Sequence, residues 1–331
     1  MLKRCVAVCF TLAMVLALAP QPVQAQAAGD GMPLRTPDGQ PDVSGTFTFR
    51  TLTPFQRPSQ FEGRENLTPE EARAFEASER TRQNRDLFDP ELGSGGYQPR
   101  SEGGVLSYNE FWYERGIELT SDKRTSLIVD PPDGRLPPQT EVARMAAQER
   151  NADRDEHRYD SYENRSWGDR CIMFSKSGPP MRNGAYNNNV MIFQTAGHVA
   201  ILNEQLRQAR VIPIDDTPKP AFAQLAGVSR GHWEGETLVI ETSQFRGTMN
   251  GGTGPNMQLV ERLTRLDPDT VSYEYTVTDT TVYTAPYTVM LPLRRTDGPI
   301  FEYACHEGNI GLHGILAGAR NLELLGRELR R

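Results

Sequence analysis

Five histidines, His157, His198, His232, His306 and His313, are the side chains of this chain best suited to move protons near neutral pH. His306 is followed at once by Glu307, then by Gly308-Asn309. A histidine with a carboxylate to orient it is a general acid–base unit. His232 and Glu234 stand two apart, so they share a face if the chain there is extended. These four are the candidate catalytic residues. The plainer alternative for each pair is a polar turn whose side chains bond to their neighbours. His232, Glu234 and His306 would also make a metal-ligand set if they met in space. However, His-Glu-x-x-His, Cys-x-x-Cys and His-x-His are all absent, so no metal is expected. Gly-x-Ser-x-Gly is missing too, and no Gly-x-Gly-x-x-Gly or P-loop follows a strand. A serine nucleophile and a nucleotide cofactor therefore have no support, and no cofactor of any kind is expected.

A second set of residues suits ligand binding. Asn188, within Tyr186-Asn187-Asn188-Asn189, offers an amide to a polar ligand, or simply builds a turn. Asn203-Glu204 with Arg207 and Arg210 is dense in charge; an arginine there can hold a carboxylate or phosphate, or else form a surface pair. Along 258–278, Glu261, Tyr273 and Tyr275 flank apolar positions, and Arg262, Thr264 and Glu274 are expected to point inward. Polar groups inside a small barrel need partners, and a ligand can be one. The competing reading makes them an outward polar face. Asn188, Asn203, Arg207, Arg262, Glu274 and Tyr303 form the candidate ligand-binding set.

Elements must position these groups. The chain has 331 residues, 37% hydrophobic and 24% charged, enough for one large core or two smaller ones. Its formal charge of -7 argues against nucleic acid as a partner. Lys3-Arg4, the apolar run 5–19 and Val23-Gln24-Ala25 read as a secretory signal peptide cut after Ala25, or after Ala27. No other run is long enough to span a membrane, so none is expected once the signal is removed. Cys5 and Cys9 leave with the signal. Cys171 and Cys305 remain, and in an oxidising compartment a lone pair reads as a disulfide. The rival is a catalytic thiol beside His306, disfavoured because adjacent residues in a strand face opposite ways.

Residues 26–40 are expected to be a disordered leader, with one β-rich domain over 41–331. Thr68-Pro69-Glu70-Glu71 opens a helix to about Asn84 with a capping box. Thr140 opens a thin-faced peripheral helix to about 156, and a third helix is expected over 312–330. Strands are expected at 108–113, 124–130, 190–195, 198–202, 209–214, 237–242, 258–265, 270–278, 287–293 and 300–305, with 231–236 as a tight turn. Short strands with Gly, Pro and Asp punctuation indicate an antiparallel meander forming a barrel or sandwich.

Pro41-Asp42-Val43-Ser44-Gly45, opening a strand, resembles the Gly-x-Trp start of lipocalin-type barrels, with Phe47 in the tryptophan position. The segments 124–138, 178–181, 186–189, 201–213, 230–242 and 303–309 resemble a large family of uncharacterised bacterial secreted proteins. The resemblance implies a lipocalin-like barrel and export to the periplasm or beyond, and carries no catalytic assignment. Three functions remain open. The first is a pocket protein acting on a small, partly apolar molecule, as an isomerase, hydratase or lyase working by proton transfer. The second is a non-catalytic ligand-binding or envelope-interaction protein. The third is a metal-dependent hydrolase.

Overall fold

Residues 270–278 alternate apolar and polar with a period of two, the pattern of a strand buried on one face only. The computed structural model describes residues 34–87, 109–174, 177–215, 218–247 and 253–326. Among the described residues there are ten strands: β1 Gly45–Thr48, β2 Ile128–Asp130, β3 Asn189–Gln194, β4 His198–Asn203, β5 Ala209–Pro213, β6 Val228–Glu234, β7 Thr237–Ser243, β8 Gln258–Asp267, β9 Thr270–Thr278 and β10 Tyr287–Arg295. Nine of them form one antiparallel path, β5-β4-β3-β1-β10-β9-β8-β7-β6, and β2 pairs with β10 off this path. The two ends of the path, β5 and β6, lie side by side, so the protein is mostly β and its barrel is nearly closed. A Cβ on Gly231 of β6 would touch Ile212 of β5 at 3.4 Å, so the seam is sealed by side-chain contact.

β10 carries a proline that the topology tolerates. Its N-terminal half pairs with β2 at Thr288 and Val289, its C-terminal half with β1 at Arg294 and Arg295. The Met290 N–H points toward β2, onto the Leu127 carbonyl. Two residues on, Pro292 has its missing N–H directed at the gap between β2 and β1, where no ladder bond is lost.

The inward residues are packed as a continuous cluster. Phe47, Ile192, Ile201, Ile212, Leu238, Ile240, Leu263, Tyr273, Tyr275 and Leu291 are each no more than 1% exposed. The barrel interior is therefore a side-chain core, where polar groups facing a ligand had been expected.

Among the described residues three α-helices sit outside: α1 Pro69–Gln83, α2 Glu141–His157 and α3 Ile310–Leu324. α1 begins with the expected capping box, Thr68 accepting from the Glu71 N–H and Glu71 from the Thr68 N–H. It covers a small second core of Leu52, Leu67, Ala72 and Leu119, edged by the T-shaped Phe61–Phe75 pair. α2 buries none of its residues, as its thin apolar face predicts, and α3 buries only Ala319.

Several expected boundaries move. Residues 110–112 form a 3-10 turn, so the strand expected at 108–113 does not form. Of 124–130 only Ile128–Asp130 is strand. Residues 300–305 form no strand, because both sides of β10 are occupied and the remaining sheet edges face each other across the seam. His232-Trp233-Glu234 belong to β6, leaving the tight turn to Gly235-Glu236. The signal peptide expected over residues 1–25 lies outside the described residues. The described part of the leader, 34–40, forms a turn closed by an Arg35–Pro41 bridge, and Arg35 pairs with Glu236.

Candidate functional site

On β6, Ser229, Gly231 and Trp233 turn inward, so His232 and Glu234 face out. His232 Nε2 lies 3.2 Å from Glu234 Oε1, and Arg262 Nη2 donates to Glu234 Oε2 at 2.6 Å. Arg262 first, then His232, holds the Glu234 carboxyl below the usual carboxylate range. Arg262 and Glu274 oppose each other in the β8–β9 register, on the outward face. The period-two pattern thus puts Glu261, Tyr273 and Tyr275 inside, and Arg262 and Glu274 outside, where inward placement had been expected.

His306 and Glu307 are exposed in the turns that follow β10 rather than at a strand end. The Tyr303 ring meets Phe174 edge-on at 6.0 Å. Cys305 and Cys171 form the expected disulfide, with Cα atoms 5.7 Å apart. It ties the segment leading into α3 to the loop after α2. Asn309, the N-cap of α3, also donates to the Asp169 carbonyl at 2.9 Å. Among the described residues, no three His, Cys, Asp or Glu side chains are grouped to hold a metal, so His232, Glu234 and His306 do not form such a site.

Asn188 is fully buried and spends its amide on the chain itself. It donates to the carbonyls of Glu114 and Gly184 at 2.6 and 2.9 Å, and accepts from the Gly184 N–H at 2.7 Å. Its turn role is complete. Arg207 is exposed and pairs with Glu302 at 3.3 Å. Asn203 follows Val199 and Ile201 on the inward row of β4 and is buried. Its Oδ1, like Oε1 of buried Gln205, meets no donor among the described residues.

One inward network ties five strands together. Arg210 of β5 reaches across the seam to Glu261 of β8 through two contacts of 2.5 and 2.8 Å. Tyr273 donates its hydroxyl to Glu261 at 2.7 Å and accepts from the Met181 N–H at 3.0 Å. Ser229 and Thr242 bond each other at 2.8 Å beside it. Burial works against the Arg210 charge, but Glu261 outweighs it and keeps the guanidinium protonated. Burial, then Glu261, pushes the Tyr273 hydroxyl far above its ordinary range. The arginine that sequence reading offered to a ligand carboxylate holds one of the protein's own.

Open space lies outside the barrel, beside α1. Gly116 has φ +95°, and a Cβ there would come within 2.7 Å of the Thr51 backbone N, so only glycine lets this loop lie so close. Leu52 N–H then bonds the Glu118 carbonyl at 2.8 Å. Strapped this way, residues 110–118 stand off from the last turns of α1. The gap is a cleft of about 520 Å³ lined by Arg50, Arg80, Gln83, Tyr113, Arg115 and Arg294, among others. A second cavity of about 670 Å³ shares Leu52, Gln83 and Arg115 with it and adds Phe55, Phe75 and Arg82. Arg115 lies over the Tyr113 ring at 3.7 Å and pairs with Glu110 at 2.6 Å. Phe111 and Trp112, 84% and 65% exposed, stack edge-on at the same turn. A third, smaller cavity of about 260 Å³ lies between α2 and the β9–β10 connection. Sequence reading missed the cleft. The signal was the run of three aromatics between charged residues in Glu110-Phe111-Trp112-Tyr113-Glu114-Arg115, much of which fell in the strand expected at 108–113.

No family model matches the chain, and no curated protein matches it. Among solved structures, part of the chain is similar to a crystal structure of an asparagine-to-alanine variant of the fluorescent protein UnaG. The identity is 15%, over 33% of this chain and 72% of that one, with a TM-score of 0.22. Among the described residues, no helix is long and apolar enough to cross a membrane.

Proposed function

We propose that this is an exported binding protein that takes up a small, partly apolar molecule in the cleft between α1 and residues 110–118. The observation that carries the reading is the pair of adjoining cavities, of about 520 and 670 Å³. Each lies within the range of about 300–1,000 Å³ typical of small-molecule sites. Both combine aromatic walls with polar groups. Binding is preferred over proton-transfer catalysis for a geometric reason. His232, Glu234, His306 and Glu307 line none of the three cavities described, and the His232–Glu234 pair faces outward from the barrel. Export is supported by the N-terminal run of Lys3-Arg4, apolar residues and Val23-Gln24-Ala25, and by a disulfide of the kind that persists in oxidising compartments.

The test uses the full mature protein and its Gln83→Trp variant. Gln83 lines both cavities from the end of α1, so an indole there fills the shared wall. Each protein is equilibrated with a small-molecule extract of the source cells, washed, denatured and analysed by mass spectrometry. One or more compounds enriched on the native protein and missing from the variant are expected. Equal enrichment on both, or none on either, would contradict the reading.

A further inference from the structure

Resting on the cleft reading, we infer that the ligand is an organic anion, a carboxylate, sulfonate or phosphate on an aromatic or aliphatic body, with Arg80 as its head-group anchor. The two cavities together are lined by six arginines and four glutamates, in a chain whose overall charge is -7. The cleft is thus a locally cationic place on an acidic protein, which favours an anion there.

The pairing pattern singles out Arg80. Arg82 and Arg115 are held by Glu79 and Glu110, each at 2.6 Å, and Arg85 lies over the Tyr113 ring at 5.9 Å. Arg50 and Arg294 meet Glu114 and Glu118 only at 3.4 and 3.6 Å, with both partners partly in water. Arg80 has no carboxylate partner among the described residues. Its Nη1 donates to the neutral Ile117 carbonyl at 2.8 Å, which fixes the guanidinium at the cleft wall. A guanidinium presents five donors in a planar fork that matches a carboxylate or phosphate. One donor bonded to a carbonyl orients the fork without neutralising it. Arg50 and Arg294, on the same cleft, hold their own partners loosely enough to exchange them for a ligand oxygen. The aromatic neighbours Tyr113 and Phe75 suit an apolar body behind the charged group.

The experiment compares two fluorescent probes with one ring system, anilinonaphthalene sulfonate and neutral phenylnaphthylamine. They are titrated against the native protein and its Gln83→Trp, Arg80→Ala and Arg80→Lys variants. Arg80 is exposed, so melting curves of the Arg80 variants should overlay that of the native protein. The sulfonate is expected to bind about tenfold or more tightly than the neutral probe, the scale of one charge-assisted hydrogen bond. Arg80→Ala should erase that preference and Arg80→Lys keep part of it. Added salt should narrow the gap. If both probes bind equally, or Arg80→Ala keeps the preference, while Gln83→Trp abolishes binding, the anion inference is overturned and the cleft stands. If Gln83→Trp leaves binding of both probes intact, or neither probe binds, the cleft reading falls and this inference with it.

Discussion

The barrel interior and the outer cleft both use arginine–glutamate pairs, and they use them in opposite ways. Inside the barrel, Arg210 and Glu261 are sealed, with side chains 10% and 0% exposed and two short contacts between them. Tyr273 occupies a carboxylate oxygen as well. On the outer cleft, Arg50–Glu114 and Arg294–Glu118 are stretched and partly solvated. The residue types are the same; the surroundings decide their role. A buried pair whose groups are already bonded has no spare donor or acceptor for a ligand, and losing one partner strands a charge in apolar surroundings. A loose pair near water gains little from its own contact, so exchanging a partner costs little. The interior network is a tie across the β5–β6 seam, and the cleft is where polar groups remain available.

Stability measurements sharpen this contrast. Glu261→Ala should lower the unfolding free energy by about 3–5 kcal/mol, because Arg210 is left buried and unpaired. The double variant Arg210→Met with Glu261→Leu should recover most of that loss. Urea unfolding of the three proteins, beside Glu114→Ala at under about 1 kcal/mol, measures the difference directly. A similar small cost for Glu261→Ala would erase the distinction. Reducing the Cys171–Cys305 bond should cost about 2–4 kcal/mol by freeing a long loop in the unfolded chain, and leave cleft binding intact, since neither cysteine lines it.

Tyr273→Phe should cost about 1–3 kcal/mol, since the buried Met181 N–H loses its acceptor. Its effect on probe binding should be nil. Thr68→Ala removes the N-cap of α1, one wall of the cleft, and should cost about 1 kcal/mol. The smallest expected effect is acid loosening of the same cap. The Glu71 carboxyl, held by Arg64 and the Thr68 N–H, sits at about 2 against an ordinary 4.5. A carboxylate depressed in the folded state contributes stability above the unfolded value and loses it as pH falls through the folded one. Melting curves of the native protein and Glu71→Gln should therefore converge between about pH 4.5 and 2. A gap that persists at pH 2 would show the cap does not depend on that charge.

Local signals in the sequence carried much of the fold. Thr68, Pro69 and Glu71 mark the start of α1 by short-range hydrogen bonds that need no tertiary context. Strand β9, Thr270–Thr278, follows from strict alternation, because one face is buried and the other is wet. The disulfide followed from there being only two cysteines, Cys171 and Cys305, beyond the apolar N-terminal run. What failed depended on neighbours distant in sequence. Ile300–Cys305 has strand-forming residues but finds no sheet edge free to pair with. Asn188 looked available for a ligand because the Glu114 carbonyl that consumes its amide lies 74 residues away. Arg262 and Glu274 were assigned to the wrong face, although the alternation that makes β9 legible also fixes which residues point in. The cleft was the least legible feature. It arises where Gly116 allows one loop to lie on another, and no periodicity announces such a contact.

Hydrogen–deuterium exchange of the full protein, with and without saturating anilinonaphthalene sulfonate, separates the two regions in one experiment. Amides of residues 75–87 and 110–118 should exchange more slowly when the probe is bound, while those of β8, β9 and β10 stay unchanged. Slowing confined to those three strands, with the α1 cleft unaffected, would place the ligand inside the barrel and contradict the account.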